Sequence, residues 1–593
     1  MHCLNKKHCG FMIEFIAFII TLTIPGYLLI EKHFTGIQKA ILSVFLSLSV
    51  TSFLYYFIIS FFGISKELIY VYFLLLLALF IIIKKPSINA AFNSIQKIKL
   101  KPIKFPKNSL PDLLVFFLVV LVLSLAFFLV FSKTTLAYDD TAYHLPITND
   151  IADDGQKTFF SETYNIYQVR SNQFPLLFES FAGATKFLLQ SNIFKFTSFF
   201  SVILSLFLIF FISRLMGYNE FFSAALFALT PVIVIFTRFF HVDLFLSMFF
   251  LGSVFFVLNY VKTEKSIFLI ISAFLAGLMF LTKFTGAIFF AGLFLFLLYK
   301  REFKASFLFA LIFVLIFLVF VVSHFNVPVE AMSIGGYSSF IAESPFVQIP
   351  FDVFETARIL FYYFFHNLFI FFIPFLFLFG LFLIKKNEND FFLLFMISSF
   401  LFFLVVFVNG ALPNNTAFPR FFLPVYALLC IFSGVQLKKL IFLNNKIFSF
   451  FVVLLFFSAS FTSFQYLGTE LSKTPEPNFE DLIDNDPDTV VWFVNGSAFQ
   501  IGLENATLCD YVWRPSFSGN PCAFLREHEI DYVVYFYSDK EPDLFFNGNF
   551  SNVSSPETQK FAYQLKHVLF EEQCAELLLY SDSVPDSVLF KIN

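Results

Sequence analysis

Charge is what this sequence has least of. Its 39 Lys and Arg and 42 Asp and Glu amount to 14% of 593 residues, against 58% hydrophobic residues and a mean hydropathy of +0.79. A soluble globule needs about a quarter of its residues charged, so that class is excluded and a polytopic membrane protein remains. The formal net charge is −3 and the lysines are scattered over many short segments, so no basic face is offered to nucleic acid. The six cysteines show no metal-ligand spacing. A cleavable leader is not indicated either, because "FMIEFIAFIITLTIPGYLLI" is long enough to span and further spans follow closely, which reads as a signal anchor. What is abundant is phenylalanine, 102 residues, equally at home against lipid or between helices and therefore mute about function.

Apolar runs of membrane-spanning length predict about fourteen transmembrane helices, an all-α polytopic fold. They lie near 11–30, 40–62, 67–83, 112–132, 192–213, 221–237, 243–260, 266–281, 285–299, 305–325, 359–384, 391–409, 420–436 and 447–466. Orientation follows from "IIIKKPSINAAFNSIQKIKLKPIKFPKN", whose seven lysines and no acid place it in the cytoplasm. That choice also puts inside Lys32 and Lys39, Arg214, Lys262 and Lys265, the 300–304 turn, Lys385 and Lys386, and Lys438, Lys439 and Lys446. Lys6 and Lys7 disagree, being carried outside with a short N-terminal tail. The connections 133–191 and 326–358 are then long outer loops, and everything after 467 is extracytoplasmic.

Three domains follow: 1–110, three spans and the basic loop; 111–466, the transmembrane module; and 467–593, a soluble unit opening with the proline-rich and acidic "SKTPEPNFEDLIDNDPD". In the last, "TVVWFVNG" and "DYVVYFYS" read as buried strands and "PCAFLREHEI" as a helix leading into the second, a small α/β domain. Asn495, Asn505, Asn549 and Asn552 occupy N-x-S/T sequons, and Cys509 and Cys522 are candidates for a disulfide.

The topology gathers ten ionisable groups from six segments at the outer face: Asp139, Asp140, His144, Arg238, His241, Asp243, Lys283, His324, Arg358 and Arg420. Carboxylates are costly near lipid, and the adjacent pair in "TTLAYDDTAYHLPITNDIADD" directly follows a span. An aspartate tuned by a neighbouring carboxylate can deprotonate a hydroxyl or amine. Arginine holds a phosphate bidentately and lysine as a point charge. Base and phosphate cradle together suggest transfer from a lipid-linked phosphate donor. The plainer readings are an N-cap for the aspartates and snorkelling for Lys283 and Arg420. Asp140 and His144 are four apart and could share a helix face to bind a metal, but no further ligand set at helical spacing accompanies them.

The ordered series "YDDTAYHLP", "NQFPLLFESFAGATKFLL", "ISRLMGYNEFFSAALFALTPVIVIFTRFFHVDLFLSMFFL" and "IISAFLAGLMFLTKFTGAIFF", with "FPRFFLPVYALL" later, resembles the GT-C lipid-phosphate-dependent glycosyltransferases. The likeness is to the branch of dolichyl-phosphate-mannose protein mannosyltransferases and bacterial aminoarabinose transferases, and covers about 112–300 and 410–436. It implies Asp139 as general base, Asp140 as its partner and Asp243 as a second outer acid. Lys283 and Arg420 are implied as phosphate-side cations, with Arg238 and His144 near family positions. The family pair is usually Asp-Glu, and here it is Asp-Asp. Three spans precede the family module, and the loop 326–358 is too short for the β-domain of eukaryotic protein mannosyltransferases.

The resemblance thus implies a glycosyltransferase, integral to the cell (plasma or inner) membrane. It would move a sugar from a polyprenyl-phosphate donor to an extracytoplasmic glycan, lipid or protein by one inverting displacement. Its partners are membrane lipid, the lipid-linked sugar and the acceptor, without nucleic acid and without a cofactor. The rival, a lipid or glycan transporter, calls for ionisable groups at mid-membrane and an inverted repeat. Neither is visible in the sequence.

Overall fold

Polar residues inside a membrane span must face protein, because lipid offers them no partner. The helix over Val242–Thr263 carries Asp243, Ser247, Ser253 and Asn259 among its apolar residues, and 89% of that span is buried. It is the axis on which the helical part of the chain is built. The computed structural model describes residues 6–84, 110–132, 144–155, 175–217, 220–237, 240–323, 423–442, 460–461, 490–494, 507–509, 531–537, 575–581 and 586–592.

The helices are α1 (Lys6–Thr21), α2 (Ile24–Ile30), α3 (Gly36–Phe61), α4 (Lys66–Lys84), α5 (Leu110–Ser132), α6 (Leu145–Asp154), α7 (Leu177–Leu189), α8 (Thr197–Leu215), α9 (Glu220–Leu229), α10 (Pro231–Thr237), α11 (Val242–Thr263), α12 (Ser266–Thr282), α13 (Gly286–Tyr299), α14 (Phe303–Ser323) and α15 (Leu423–Phe442). Among the described residues five helices are long and apolar enough to cross a membrane: α3, α4, α8 with the 3-10 turn before it, α11 and α14. A sixth span is the pair α9 and α10, bent by 64° where Pro231 lacks the N–H that would continue the ladder. Shorter apolar helices lie over Glu14–Ile30, Leu114–Val130, Ser266–Thr282, Gly286–Tyr299 and Leu423–Gly434. The expected spans near 359–384, 391–409 and 447–466 fall outside the described residues, apart from 460–461.

The region 133–191, expected as an outer loop, contains two helices, α6 and α7. At 13 residues α7 is about 20 Å long, too short to span, so a search for spanning runs passes over it. It is nevertheless a core element, with eleven of its residues buried. Gly183 allows α6 to lie against it, since a Cβ there would sit 2.7 Å from Ile151 Cγ2. Lys186 Nζ donates to Asn149 Oδ1 at 2.9 Å across the same contact.

The N-terminal helices pack against α6, α7 and α11. Phe45 of α3 fills the notch at Gly252 of α11, where any Cβ would collide with the ring. Tyr55 stacks on Phe181 of α7 with ring centroids 6.4 Å apart, and Ile64 N–H donates to the Gly155 carbonyl beyond α6. At one end of the bundle the 31–35 and 263–265 turns meet, with His33 edge-on to Phe268 at 5.2 Å and Phe34 against Phe255 at 5.8 Å. Tyr260 donates to Glu302 of the next turn at 3.2 Å. Desolvation, with Lys265 and Lys32 nearby, lowers the His33 pKa below the usual histidine value. The turns that the positive-inside count assigns to one side therefore share one end.

The chain divides into two compact units, the helical one comprising 1–135, 148–157 and 174–471, and a second comprising 136–147, 158–173 and 472–593. The second holds a five-stranded sheet in the order β2-β1-β3-β5-β4, with β1 over Val490–Val494, β2 over Thr507–Cys509, β3 over Tyr532–Tyr537, β4 over Ala575–Ser581 and β5 over Asp586–Ile592. β1 is parallel to β2 and β3, while β5 runs antiparallel to β3 and β4. The two segments expected as strands are β1 and β3, and their continuous apolar runs suit parallel pairing. The expected helix over 521–530 and Cys522 lie outside the described residues.

Candidate active site

Helices α11 and α12 run antiparallel, joined at the 263–265 turn, so the start of α11 and the end of α12 meet at the opposite end of the bundle. Asp243 stands in the first turn of α11 and Lys283 immediately follows α12 in extended backbone. Two residues forty apart in sequence are thereby brought together. Lys283 Nζ donates to Asp243 Oδ1 at 2.9 Å and to Oδ2 at 3.1 Å. The Asp243 side chain is 4% exposed and that of Lys283 17%, so the lysine is the member that reaches toward the surface.

A buried carboxylate is expensive without compensation, and here three sources supply it. The lysine is the first, and the positive end of the α11 dipole is the second. The third is His241, whose Nδ1 lies 3.1 Å from Asp243 Oδ2 and 3.3 Å from the Asp243 amide N–H. These two contacts are alternatives, because Nδ1 carries either a proton to give the carboxylate or a lone pair to accept the amide. His241 is 1% exposed and its backbone is fixed. Ser198 of α8 accepts from the His241 N–H at 2.8 Å and donates to its carbonyl at 3.2 Å. The Phe236 ring stands edge-on to the imidazole at 5.2 Å, and Ser247 donates to the Asp243 carbonyl at 2.7 Å.

Aromatic residues wall this end. Phe240 packs on Phe178 of α7 at 4.6 Å and on Phe194 at 5.5 Å, and Phe245 packs on Phe178 and Phe181. Glu179, between those two α7 phenylalanines, is 2% exposed. The sequence reading did not single it out, because one acid inside "FPLLFESFAG" carries no spacing signal.

Of the residues expected in a site, the structure joins Asp243 and Lys283 and adds His241, which sequence had collected at the outer face without a role. His144 is buried, at 3% exposure, just before α6. Asp139, Asp140, Arg238 and Arg420 lie outside the described residues. Among the described residues no group of three or more His, Cys, Asp or Glu side chains is placed to hold a metal ion.

Residues 188–325, from the end of α7 through α14, match the family model described as dolichyl-phosphate-mannose-protein mannosyltransferase. The chain resembles GT-C glycosyltransferases of this branch. The matched GT-C segment contains His241, Asp243 and Lys283. Among solved structures, ArnT from Cupriavidus metallidurans in the apo state is 12% identical, with a TM-score of 0.50 over 80% of this chain and 97% of ArnT. ArnT from the same organism bound to undecaprenyl phosphate gives 12% identity and a TM-score of 0.48 over the same shares. The former likeness is one of fold, and it reaches beyond the matched segment. No curated protein matches the chain.

Proposed function

We propose that this chain is a multi-pass membrane glycosyltransferase that takes a sugar from a polyprenyl monophosphate and gives it to an acceptor on the extracytoplasmic side. The observation that carries the reading is the ion pair of Asp243 with Lys283, a partly exposed cation at the common end of α11 and α12, inside the segment matching a family named for a lipid-phosphate sugar. A lysine so placed can receive the phosphate of a lipid lying in the outer leaflet and hold it as it leaves.

In this reading Asp139 removes the acceptor proton and Asp140 tunes it. The acceptor oxygen or nitrogen attacks the anomeric carbon from the face opposite the lipid phosphate, inverting the configuration. Lys283, Arg420 and Arg238 take the departing charge, Asp243 fixes Lys283, and His144 is a further substrate-binding residue. No cofactor enters. Fourteen spans, three of them ahead of the catalytic module, anchor the enzyme in the cell membrane, and an α/β domain after 467 places the acceptor.

The test is purified protein in liposomes with a panel of radiolabelled polyprenyl-phosphate sugars and crude envelope acceptors. The wild type should consume one donor, and Asp139→Asn should spare it, by about 10²-fold or more. If both proteins leave every donor intact while labelled lipid changes leaflet, transport is the function and the proposal falls.

A further inference from the structure

Three turns at the end of the bundle away from Asp243 carry six cations, Lys32, Lys262, Lys265, Lys300, Arg301 and Lys304, against three carboxylates, Glu31, Glu264 and Glu302. Lys32, Lys262, Lys265, Arg301 and Lys304 are all exposed, and none has a carboxylate of the described residues within ion-pair distance. Two of the carboxylates accept from tyrosine hydroxyls instead, Glu302 from Tyr260 at 3.2 Å and Glu31 from Tyr27 at 3.3 Å. Positive charge is therefore left open to an outside anion.

The turns adjoin one another. His33 meets Phe268 edge-on at 5.2 Å, which sets Lys32 beside the 263–265 turn, and the Tyr260 bond to Glu302 ties that turn to 300–304. Desolvation and then the charges of Lys265 and Lys32 hold the His33 pKa down, so both ammonium groups lie near its ring. Beside this positive surface α14 opens with apolar rings turned outward. Phe303 is 66% and Phe307 71% exposed, one helical turn apart, and Tyr299 before the turn is 56% exposed. Aromatic rings at the end of a span sit at headgroup depth, where neighbouring lysines and arginines reach phosphates. Arg301 has a φ of +60°, the left-handed region that favours glycine, so a guanidinium is held here at a cost in strain.

We propose that the 300–304 turn, with Lys265 and Lys32 beside it, binds the phosphate of an anionic phospholipid, while Phe303 and Phe307 lie against its acyl chains. The site is at the opposite end of the bundle from Asp243 and does not depend on the reading of Lys283. It seats the helices in a negatively charged leaflet and handles no reacting lipid. A zwitterionic headgroup brings an ammonium that the same cations repel, so phosphatidylglycerol is preferred to phosphatidylcholine. The plainer reading, charge that only sets orientation during insertion, gives no lipid preference in the finished protein.

The test is thermal melting of the full chain in a neutral detergent. It is titrated with dioleoyl phosphatidylglycerol, with dioleoyl phosphatidylcholine, and with glycerol 3-phosphate as a soluble source of the same phosphate. Phosphatidylglycerol should raise the melting temperature and the other two should not. Arg301→Gly relieves the left-handed turn, so without lipid it should melt no lower than wild type, yet it should need about fivefold more phosphatidylglycerol for the same gain. Arg214→Gln removes a cation from the last turn of α8, which reaches the same end through Phe211 on Phe255, and should shift that requirement less than about twofold. Arg301→Gly combined with Lys265→Gln and Lys304→Gln should raise it about 10²-fold. Equal gains from the two phospholipids, a wild-type response in Arg301→Gly, or equal shifts in Arg214→Gln and Arg301→Gly overturn the proposal. Glycerol 3-phosphate acting as well as phosphatidylglycerol also overturns it, making the ligand a free phosphate. If the triple variant does not fold, Arg301→Gly and Arg214→Gln decide the matter between them.

Discussion

Helices α4 and α11 are both long enough and apolar enough to cross a membrane, yet 6% of the α4 span is buried and 89% of the α11 span. Apolarity alone therefore does not say whether a helix faces lipid or protein. What separates them is the polar content in the spanning stretch. α11 carries Asp243, Ser247, Ser253 and Asn259, each with a partner, while α4 beyond its first turn presents leucines and isoleucines outward, such as Leu75 at 64% and Ile82 at 71% exposure. Chemistry placed on a lipid-facing helix would lack the partners that hold it. The Asp243 site sits on the helix that has them.

The sharpest way to break this contrast is to unpair the charge on α11. Lys283→Met should cost about 3 kcal/mol of stability, the lower end for a broken buried pair because His241 still faces the carboxylate. Adding Asp243→Leu should return much of that loss, since removing both charges removes the cost of burying either. Thermal melts in detergent across the double-mutant cycle measure it. A single-mutant loss below about 0.5 kcal/mol would mean that the pair is solvated and that α11 is no more privileged than α4.

Sequence told these two helices apart only in part. Apolar runs located both, and the resemblance flagged Asp243 and Lys283 separately, one as an acid and one as a phosphate cation. That the two meet at 2.9 Å follows from the antiparallel pairing of α11 and α12, which the short 263–265 turn makes natural. The contact of His241 with Asp243 was not legible. It depends on side-chain reach across two residues at a helix start and on Ser198 from another helix, and neither leaves a periodic trace. Glu179 and α7 were hidden for a related reason: a 13-residue apolar helix is too short to register as a span, and its buried acid looks like an interruption. The strands β1 and β3, by contrast, stood out because short apolar runs bounded by polar residues have few other uses.

A smaller effect sharpens the comparison within α11. Ser253 and Ser272 face one another across α11 and α12, with hydroxyls 2.9 Å apart and each donating to the other's backbone carbonyl at 2.8 Å. Hydrogen bonds between membrane helices average about 0.6 kcal/mol, because partners are also found in the unfolded state within the membrane. Ser253→Ala should lower stability by about that amount, and steric trap or unfolding measurements in bicelles can resolve it. A loss above about 2 kcal/mol would indicate that the hydroxyl pair, more than shape, holds α11 against α12.

The smallest effect is expected on α4. Leu75 is 64% exposed, and a leucine facing acyl chains meets nearly the same surroundings whether the protein is assembled or not, so truncating it forfeits little. Leu75→Ala should change stability by less than about 0.5 kcal/mol, against the 3–5 kcal/mol expected for Phe249→Ala on α11, where the ring is fully buried and packs on Phe45 and Phe245. The ratio matters more than either value. If Leu75→Ala cost as much as an interior truncation, the outward face of α4 would have to be covered by protein, either another segment of this chain or a second copy. The N-terminal helices α1 to α4 would then be an interface as well as a support for α7 and α11.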